Sequence, residues 1–383
     1  MSVTAARGFR ASGVTAGLKA SGRPDVALVV NDGPERSAAA VFTSNRFAAA
    51  PVHWTRQAVA DGELHAVILN SGGANACTGP DGFADTHRTA ERVAELLGTG
   101  AGEVAVCSTG LIGERLPMDR LLAGVASAAV ALDADGGSDA AMAIMTTDTV
   151  PKTAVAHGDG FMVGGMAKGA GMLAPGLATM LVVLTTDARA DASTLDAVLR
   201  QATGVTFDRI DSDGCMSTND TVLIMASGAS GVSPGADALT DAVVAVCAHL
   251  AQQLIHDAEG ASKDIRIDAL HALTEDDAVE VARAVSRSNL LKCAIHGEDP
   301  NWGRVLSAIG TTRASFDPDR VDVAINGVWV CRSGGVGEER SLVDLSGRDV
   351  VITIDLAAGQ AAATLWTNDL TADYVHENSA YAT

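Results

Sequence analysis

Residues 164–187 read Gly-Gly-Met-Ala-Lys-Gly-Ala-Gly-Met-Leu-Ala-Pro-Gly-Leu-Ala-Thr-Met-Leu-Val-Val-Leu-Thr-Thr-Asp, and the rest of the chain is organised around them. A glycine-rich segment, which we predict to be a loose loop, leads to Pro175-Gly176; its glycines are Gly164, Gly165, Gly169 and Gly171. A short apolar strand from Met180 to Leu184 is predicted to enter the core. Thr179 stands at the junction, as the last polar residue before this strand.

The position of Thr179 suits a nucleophile, because a β-branched hydroxyl has few rotamers and is aimed by the backbone. The glycines and Pro175 permit a strained peptide bond at Ala178–Thr179. Attack of the Thr179 hydroxyl on the Ala178 carbonyl, followed by ester hydrolysis, would cut the chain there. The new α-amine, with a reference pKa of roughly 7.7–8.0, could then act as the adjacent base. The alternative is that Thr179 merely begins a buried strand, and composition alone favours it.

The segment Lys168–Met180 resembles the self-cleavage segment of the ornithine acetyltransferases, the glutamate N-acetyltransferases of the cyclic arginine pathway. Further blocks of that family follow in the same order along almost the whole chain: Asn70–Gly79, Cys107–Gly113, Met145–Asp148, Ser217–Thr221, Asp257–Gly260, His296–Arg304 and Glu377–Tyr381. The resemblance implies a mixed α/β sandwich of the ornithine acetyltransferase and self-processing aminopeptidase type. It also implies cleavage into chains 1–178 and 179–383, which interleave in one globular unit and assemble as a heterotetramer of two of each.

The resemblance assigns roles to residues that have ordinary alternatives. Thr109 and Gly110 would form the oxyanion hole through a hydroxyl and an amide, although Ser-Thr-Gly is also a common turn. Substrate binding is implied for Thr146, Lys168, Thr179, Glu259, Asn378 and Thr383. Lysines and glutamates are mostly solvated and chain ends usually fray, so these residues are unremarkable without the family. Thr147 is an alternative to Thr146, and two positions depart from the family pattern: Gly73, where Asn is commoner, and Thr383, a mild departure.

The implied activity is transfer of the acetyl group from N2-acetyl-L-ornithine to L-glutamate through an acetyl-Thr179 ester. A lysine such as Lys168 would suit a substrate carboxylate, and Glu259 would suit the ammonium group of ornithine. Some members of the family also use acetyl-CoA. The alternatives are a self-processing aminopeptidase or amidase that releases its acyl group to water, an acetyltransferase paralogue of a secondary-metabolite pathway, and a non-catalytic α/β binding protein.

Composition limits the partners and the location. The chain has 383 residues and a net charge of −20, which disfavours nucleic acid and anionic membranes as partners. No uninterrupted apolar run reaches the roughly 18 residues of a membrane span, and the N-terminus lacks a signal-peptide core, so we expect a cytoplasmic protein. The six cysteines form no CxxC pair, and the nine histidines have no metal-ligand spacing. We therefore expect neither a metal nor a cofactor.

Hydrophobic periodicity predicts a mixture of strands and helices. The predicted strands, besides the one that follows Thr179, are Asp25–Val30, Ala39–Thr43, Leu64–Leu69, Glu103–Cys107, Thr221–Ala226, Arg320–Ile325, Val328–Cys331, Val350–Asp355 and Ala361–Trp366. The predicted helices are Phe83–Leu97, Met118–Leu132, Ser193–Gln201, Asp237–Asp257 and one that Thr274 caps and that runs to about Asn289. No linker or repeat divides the chain, so the only boundary predicted is the cleavage point.

Overall fold

The computed structural model describes residues 2–174 and 180–380, so the predicted cleavage point lies outside the described residues. The chain forms two compact units. Among the described residues, unit 1 contains those up to Asp208 together with Cys215–Asp257, and unit 2 contains Arg209–Gly214 and residues 258–380. The sequence did not predict this division, because no linker-like stretch marks the points where the chain passes from one unit to the other.

Unit 1 is built from nine strands and six helices within the described residues. The strands are β1 (Phe9–Val14), β2 (Val26–Asn31), β3 (Ser37–Phe42), β4 (Ala66–Asn70), β5 (Val104–Ser108), β6 (Lys152–His157), β7 (Met162–Lys168), β8 (Leu181–Thr186) and β9 (Thr221–Ala226). The helices are α1 (Ala50–Ala58), α2 (Gly79–Leu97), α3 (Met118–Val130), α4 (Gly137–Ala143), α5 (Ala192–Val205) and α6 (Ala236–His256).

Two sheets form the centre of unit 1, with strand orders β1-β2-β4-β5 and β3-β9-β8-β7-β6. Successive side chains of a strand point to opposite faces. On β2, Val29 therefore shares a core with Leu181 of β8, while Leu28 packs with Leu121 of α3 on the other face. Each such buried side chain contributes about 1.5–3 kcal/mol. Helices α5 and α6 pack on the second sheet, which gives four layers, and the predicted mixed α/β sandwich is confirmed.

The second sheet contains strands from both sides of the predicted cut. Strand β7 pairs antiparallel with β8, with Lys168 opposite Leu181, and β8 pairs parallel with β9, with Leu181 opposite Thr221. Because β7 precedes residue 178 and β8 follows residue 179, a cut there would leave the two pieces joined by a ladder of hydrogen bonds. We therefore expect the pieces to stay associated.

Gly164 and Gly165 lie within β7, so the loop predicted there from the glycine content was wrong. Both positions lack room for a side chain. A Cβ at Gly164 would lie 2.2 Å from the Ser2 carbonyl oxygen, and one at Gly165 would lie 2.9 Å from Val246 of α6. The glycines therefore allow close packing on both faces of the strand rather than a flexible loop.

Unit 2 has a six-stranded sheet with helices packed on it. The strands are β10 (Asp264–Ala272), β11 (Asp322–Ile325), β12 (Val328–Arg332), β13 (Gly335–Val336), β14 (Asp349–Asp355) and β15 (Ala361–Asn368), in the order β13-β12-β11-β14-β10-β15. The helices are α7 (Glu275–Ser286), α8 (Asn289–His296), α9 (Trp302–Ile309) and α10 (Ala372–Ala380). Apolar residues of β10, α7 and α9 share one core, including Ile267, Val281 and Val305.

The helix predicted from Thr274 is correct at its start and too long at its end. The Thr274 hydroxyl accepts the backbone N–H of Asp277 at 3.1 Å, so the predicted cap is confirmed. The helix stops at Ser286, because Ser288 caps a new helix by accepting the N–H of Leu291. A serine side chain that accepts a backbone N–H in the first turn stabilises the start of a new helix. The helical chain is therefore interrupted before Ser288, even though apolar residues continue along the sequence.

Helix α6 is the one helix in residues 2–174 and 180–380 that is long and apolar enough to cross a membrane. It packs against β6 and β7, and 56% of its most apolar window is buried inside the protein. Its composition is therefore explained by its position over the second sheet.

We predict that Gly164→Ala lowers the free energy of unfolding by about 1–3 kcal/mol, because the added methyl group would overlap the Ser2 carbonyl oxygen. The matched control is Gly204→Ala on α5, where an added Cβ would meet open space. This substitution should raise the free energy of unfolding by roughly 0.5–1 kcal/mol, because alanine favours the helix over glycine. Urea denaturation measures both changes. A Gly164→Ala variant as stable as the wild type would contradict the packing described for β7.

Candidate active site

Polar residues gather in unit 1 where β4 and β5 end. These strands are parallel, and their last residues, Asn70 and Ser108, lie side by side. The Asn70 side-chain amide donates to the Ser108 hydroxyl at 2.6 Å. Asn219, just before β9, donates to the carbonyl oxygens of Ala74 and Ser108 at 2.6 and 2.8 Å. Asn219 therefore joins the start of a strand in the second sheet to the ends of two strands in the first.

Thr109 and Gly110 follow β5 directly. The Thr109 N–H donates to the Asn70 carbonyl at 3.0 Å, and the Gly73 N–H donates to the Thr109 carbonyl at 3.0 Å. Gly110 has a φ of +132°, and a Cβ there would lie 2.8 Å from the Gly73 nitrogen. Both the backbone angle and the lack of space require glycine at position 110. The turn predicted after β5 is thus held by main-chain contacts on both sides.

Lys168 is the last residue of β7 and is buried, with 2% of its surface exposed. Its Nζ donates to the Thr109 hydroxyl oxygen at 3.4 Å. Because that oxygen accepts from the lysine, the hydroxyl proton can be donated to another acceptor. The surface alternative considered for Lys168 is wrong. A cation beside a hydroxyl donor in a buried site suits an oxyanion or a carboxylate.

Asp148 links the backbone of Thr146 to the chain that follows Lys168. Its carboxylate accepts the N–H of Thr146 at 2.9 Å and the N–H of Gly169 at 2.7 Å. It also accepts the Nζ of Lys152 at 2.7 Å. Burial would raise the pKa of Asp148, but the charges of Lys168 and Lys152 lower it to about 2. Asp148 is therefore an anion that fixes two segments predicted to contact substrate.

Lys152 is fully buried between two carboxylates, Asp148 and Asp257. Asp257 follows α6 and also accepts the hydroxyl and N–H of Thr149. A second cation, Lys19, donates to the carbonyl oxygens of Pro24 and Met145. Burial lowers the pKa of Lys19 to about 8, although Asp25 and Asp148 oppose that shift. The region thus holds three lysines in a protein whose net charge is strongly negative.

Glu259 and Asn378, both predicted to bind substrate, are brought together in unit 2. The Asn378 side-chain amide donates to a Glu259 carboxylate oxygen at 3.1 Å. Gly260 makes the approach of α10 possible, because a Cβ there would lie 2.2 Å from the Tyr374 nitrogen. The Thr371 hydroxyl donates to the Gly260 carbonyl and accepts the Tyr374 N–H. Helix α10 is therefore anchored beside Glu259, although chain ends are usually frayed.

A cavity of about 280 Å³ in unit 2 is lined by Glu259. Charged residues of both signs surround it: Asp213, Glu259, Arg287, Lys292 and Asp369. Lys292 donates to the Ser212 carbonyl and the Thr367 hydroxyl, and burial lowers its pKa. A cavity lined by both acidic and basic side chains suits a small zwitterion. Asn378 contacts the carboxylate of Glu259, one of the lining residues.

The structure thus places Thr109, Gly110, Thr146 and Lys168 in one region of unit 1, and Glu259 and Asn378 in unit 2. Ala178, Thr179 and Thr383 lie outside the described residues. No group of His, Cys, Asp and Glu in the described ranges is arranged to hold a metal ion. Sequence reasoning missed the roles of Asp148, Lys152 and Asn219. Asp148 and Asn219 lie in blocks shared with the family, whereas no motif marks Lys152.

We predict that the stabilising effect of Asp148 disappears in acid. Its folded-state pKa of about 2 lies below the ordinary value of 3.8, so the ionised group contributes about 2 kcal/mol above pH 4. This contribution is lost as the pH falls from about 4 to about 2. The difference in unfolding free energy between the wild type and Asp148→Asn, measured by denaturant titration, should narrow over that range.

The matched control is Asp211→Asn. Burial raises the pKa of Asp211 despite the nearby Arg287. The difference in unfolding free energy between the wild type and Asp211→Asn should therefore not shift against the wild type as the pH falls. A wild-type advantage over Asp148→Asn that stays constant down to pH 2.5 would contradict the proposed role of the Lys152 and Lys168 charges.

Comparison with known proteins extends over the whole chain. Residues 10–383 match the ArgJ family. The arginine biosynthesis bifunctional protein ArgJ of Streptomyces coelicolor is 70% identical over 382 residues, and the ArgJ protein of Thermobifida fusca is 62% identical over 383 residues; each match covers 100% of both chains. A solved ornithine acetyltransferase from Mycobacterium tuberculosis, complexed with ornithine, is 61% identical, with 47% of this chain and 96% of that chain covered and a TM-score of 0.45. The resemblance inferred from the sequence blocks is confirmed, and this chain belongs to the ArgJ family.

Proposed function

We propose that this chain transfers the acetyl group of N2-acetyl-L-ornithine to L-glutamate, giving ornithine and N-acetylglutamate. Its family supports this activity, since relatives that are 62% and 70% identical are bifunctional proteins of arginine biosynthesis. The structural observation that supports it is the buried contact between the Lys168 ammonium and the Thr109 hydroxyl. That contact lies at the end of β7, opposite the first residue of β8, and Thr179 precedes β8 by two positions in the sequence.

The transfer proceeds in two steps through one covalent intermediate. The Thr179 hydroxyl attacks the acetyl carbonyl, and its proton passes to the α-amine of the same residue. The α-amine then gives this proton to the departing nitrogen of ornithine as the C–N bond breaks. The neutral glutamate amine then attacks the acetyl ester, and one of its protons passes through the α-amine to the Thr179 oxygen, which leaves as the free hydroxyl. The Thr109 hydroxyl and the Gly110 amide stabilise the negative charge on the carbonyl oxygen in both steps.

Substrate recognition uses the remaining predicted residues. Lys168 neutralises a substrate carboxylate, and the Asp148 carboxylate orients Thr146 and the residue after Lys168 for the same purpose. Glu259, held by Asn378, receives the ammonium group of ornithine. Thr383 completes the set as a substrate-contacting residue by family resemblance.

The reaction needs no cofactor and no metal, because one secondary amide is exchanged for another with little change in free energy. Water must be excluded from the acetyl ester, or hydrolysis would compete with transfer.

Acetyl-CoA is a second acetyl donor in this proposal, since a thioester would acylate the same hydroxyl. Acylation of the purified enzyme by labelled acetyl-CoA tests that extension separately.

Maturation requires cleavage between Ala178 and Thr179. The pairing of β7 with β8 supports the idea that chains 1–178 and 179–383 remain one folded particle afterwards. We propose assembly as a heterotetramer of two of each chain, in the cytoplasm. Size-exclusion chromatography with light scattering tests the assembly, and only a species with both chains in equal amounts and twice the 38.9 kDa mass of one full chain agrees with it.

The products separate this function from the hydrolase alternative. With N-acetylornithine and glutamate as substrates, the transferase releases ornithine and N-acetylglutamate in equal amounts. An aminopeptidase or amidase with the same nucleophile would release free acetate instead. Dominant acetate would overturn the transferase proposal, and a chain that is never cut and forms neither product would point to a binding protein.

We predict that wild-type protein gives two bands of roughly 18 and 21 kDa, from 38.9 kDa scaled by 178/383 and 205/383. Thr179→Ala should remain a single uncut chain that folds and is inactive, because both cleavage and acetyl capture need the hydroxyl. Intact-mass spectrometry and circular dichroism measure these outcomes. Two bands from the alanine variant would exclude Thr179 as the residue that cuts the chain.

We predict that Thr109→Ala slows turnover by about 10²–10³-fold, because one donor to the oxyanion is lost. Thr109→Ser keeps the hydroxyl and is the matched control, with a turnover close to that of the wild type. Steady-state assay of N-acetylglutamate formation measures both. An alanine variant with an unchanged kcat would remove Thr109 from the oxyanion hole.

A further inference from the structure

Asp220 is a buried carboxyl group that the proposed mechanism does not use. It lies one residue before β9, and the parallel register of β8 and β9 sets it beside Met180, one residue before β8. One oxygen of Asp220 accepts the Met180 N–H at 3.1 Å. The Met180 carbonyl in turn accepts the N–H of Thr221 at 3.1 Å. Both polar groups of the Met180 backbone are thus bound, the N–H by Asp220 and the carbonyl by Thr221, the first residue of β9.

The Met180 amide depends on this carboxyl because Met180 itself is buried, with 1% of its surface exposed. A buried N–H without an acceptor costs about 1–3 kcal/mol. Strand β7 ends at Lys168, which pairs with Leu181, so the β7–β8 ladder does not reach residue 180. The Asp220 side chain therefore takes the place of a strand neighbour at the position that follows the proposed nucleophile in the chain.

The Asp220 carboxyl also has an unusual pKa and an unusual hydrogen-bonding pattern. It is fully buried, and its second oxygen makes no hydrogen bond within the described part of the chain. Burial raises the pKa of Asp220 well above its ordinary range, against the opposing effects of the Met180 amide, the Ser217 side chain and Lys168. Asp148 is buried to a similar extent but contacts Lys152 directly and stays ionised. Asp220 thus differs from Asp148 in its surroundings, and one of its oxygens accepts the Met180 backbone amide.

We propose that Asp220 is a positioning residue for Thr179: by binding the Met180 amide, it fixes the main chain that leads from the nucleophile into β8. This inference rests on the proposed function, because it assumes that Thr179 cuts the chain and accepts the acetyl group. It goes beyond that function by assigning a role to a residue of the Ser217–Thr221 block. The role requires a hydrogen-bond acceptor at position 220 and does not require a charge.

Two substitutions show whether position 220 needs a hydrogen-bond acceptor or a negative charge. Asp220→Ala removes the acceptor, so cleavage and kcat should fall by about 10-fold to 10²-fold while KM changes little, since small displacements of a reacting group have effects of this size. Asp220→Asn keeps a neutral acceptor of the same shape and should restore cleavage and kcat to nearly wild-type values. Cleavage is followed by intact mass after purification, and transfer by N-acetylglutamate formation.

Asp187 provides a matched control at the opposite end of β8. It is also fully buried, and its carboxylate accepts a backbone N–H, that of Met162, at 2.8 Å. Asp187→Ala should lower stability in a similar way but leave the cleaved fraction and kcat at wild-type values. If Asp220→Ala does not fold, Asp220→Ser serves in its place, because serine keeps a polar side chain but is too short to reach the Met180 amide.

The outcomes are distinct. Slow cleavage in Asp220→Ala or Asp220→Ser, with rescue by Asp220→Asn, supports the inference. A folded Asp220→Ala variant that cuts and transfers like the wild type overturns it and leaves the proposed function intact. An Asp220→Asn variant as slow as Asp220→Ala also overturns it, in favour of proton transfer by the carboxyl. Wild-type protein that is never cut would overturn the proposed function itself.

Discussion

The pairing of β7 with β8 is the constraint on which the rest of unit 1 depends. It sets Lys168 opposite Leu181 and so fixes where the buried lysine stands relative to the start of β8. It also joins the parts of the chain on either side of the predicted cut. Gly164 and Gly165 make the pairing compatible with dense packing, because neither face of β7 has room for a Cβ at these positions. If the chain is cut after Ala178 as proposed, this pairing keeps the two pieces together.

Two buried carboxyl groups near the start of β8 show that neighbouring cations and hydrogen-bond donors, and not burial alone, set the pKa of a side chain. Asp148 and Asp220 are both buried, yet their pKa values move in opposite directions. Asp148 contacts Lys152 and two backbone amides, and these donors stabilise the anion. Asp220 accepts the Met180 amide and has no cation within hydrogen-bond distance among the described residues, so burial dominates. The Asp148 carboxylate is therefore a fixed negative charge near Lys168, while the Asp220 carboxyl serves as the acceptor of a buried backbone amide.

Local patterns predicted much of the fold. Strand β9 was predicted with its observed bounds, and the cap at Thr274 is as expected. Strand β7 was missed because its glycines are typical of loops when only neighbouring residues are considered. Strand β10 was missed although Asp264, Arg266 and Asp268 alternate with apolar residues, a pattern that is itself typical of a half-buried strand. The two-unit division was missed because the chain leaves unit 1 and returns to it without a linker.

By itself, the sequence determined the family, the fold class and the identity of the residues in each shared block, because the order of blocks and the spacing of apolar residues are properties of a linear chain. Only the tertiary structure decided which polar groups meet. Lys168 reaches Thr109 across 59 positions, and Lys152 reaches Asp257 across 105. These contacts depend on strand register and on the packing of one sheet against another. Neither is encoded by neighbouring residues, since a hydrogen bond forms with whatever group the folded backbone brings within about 3 Å.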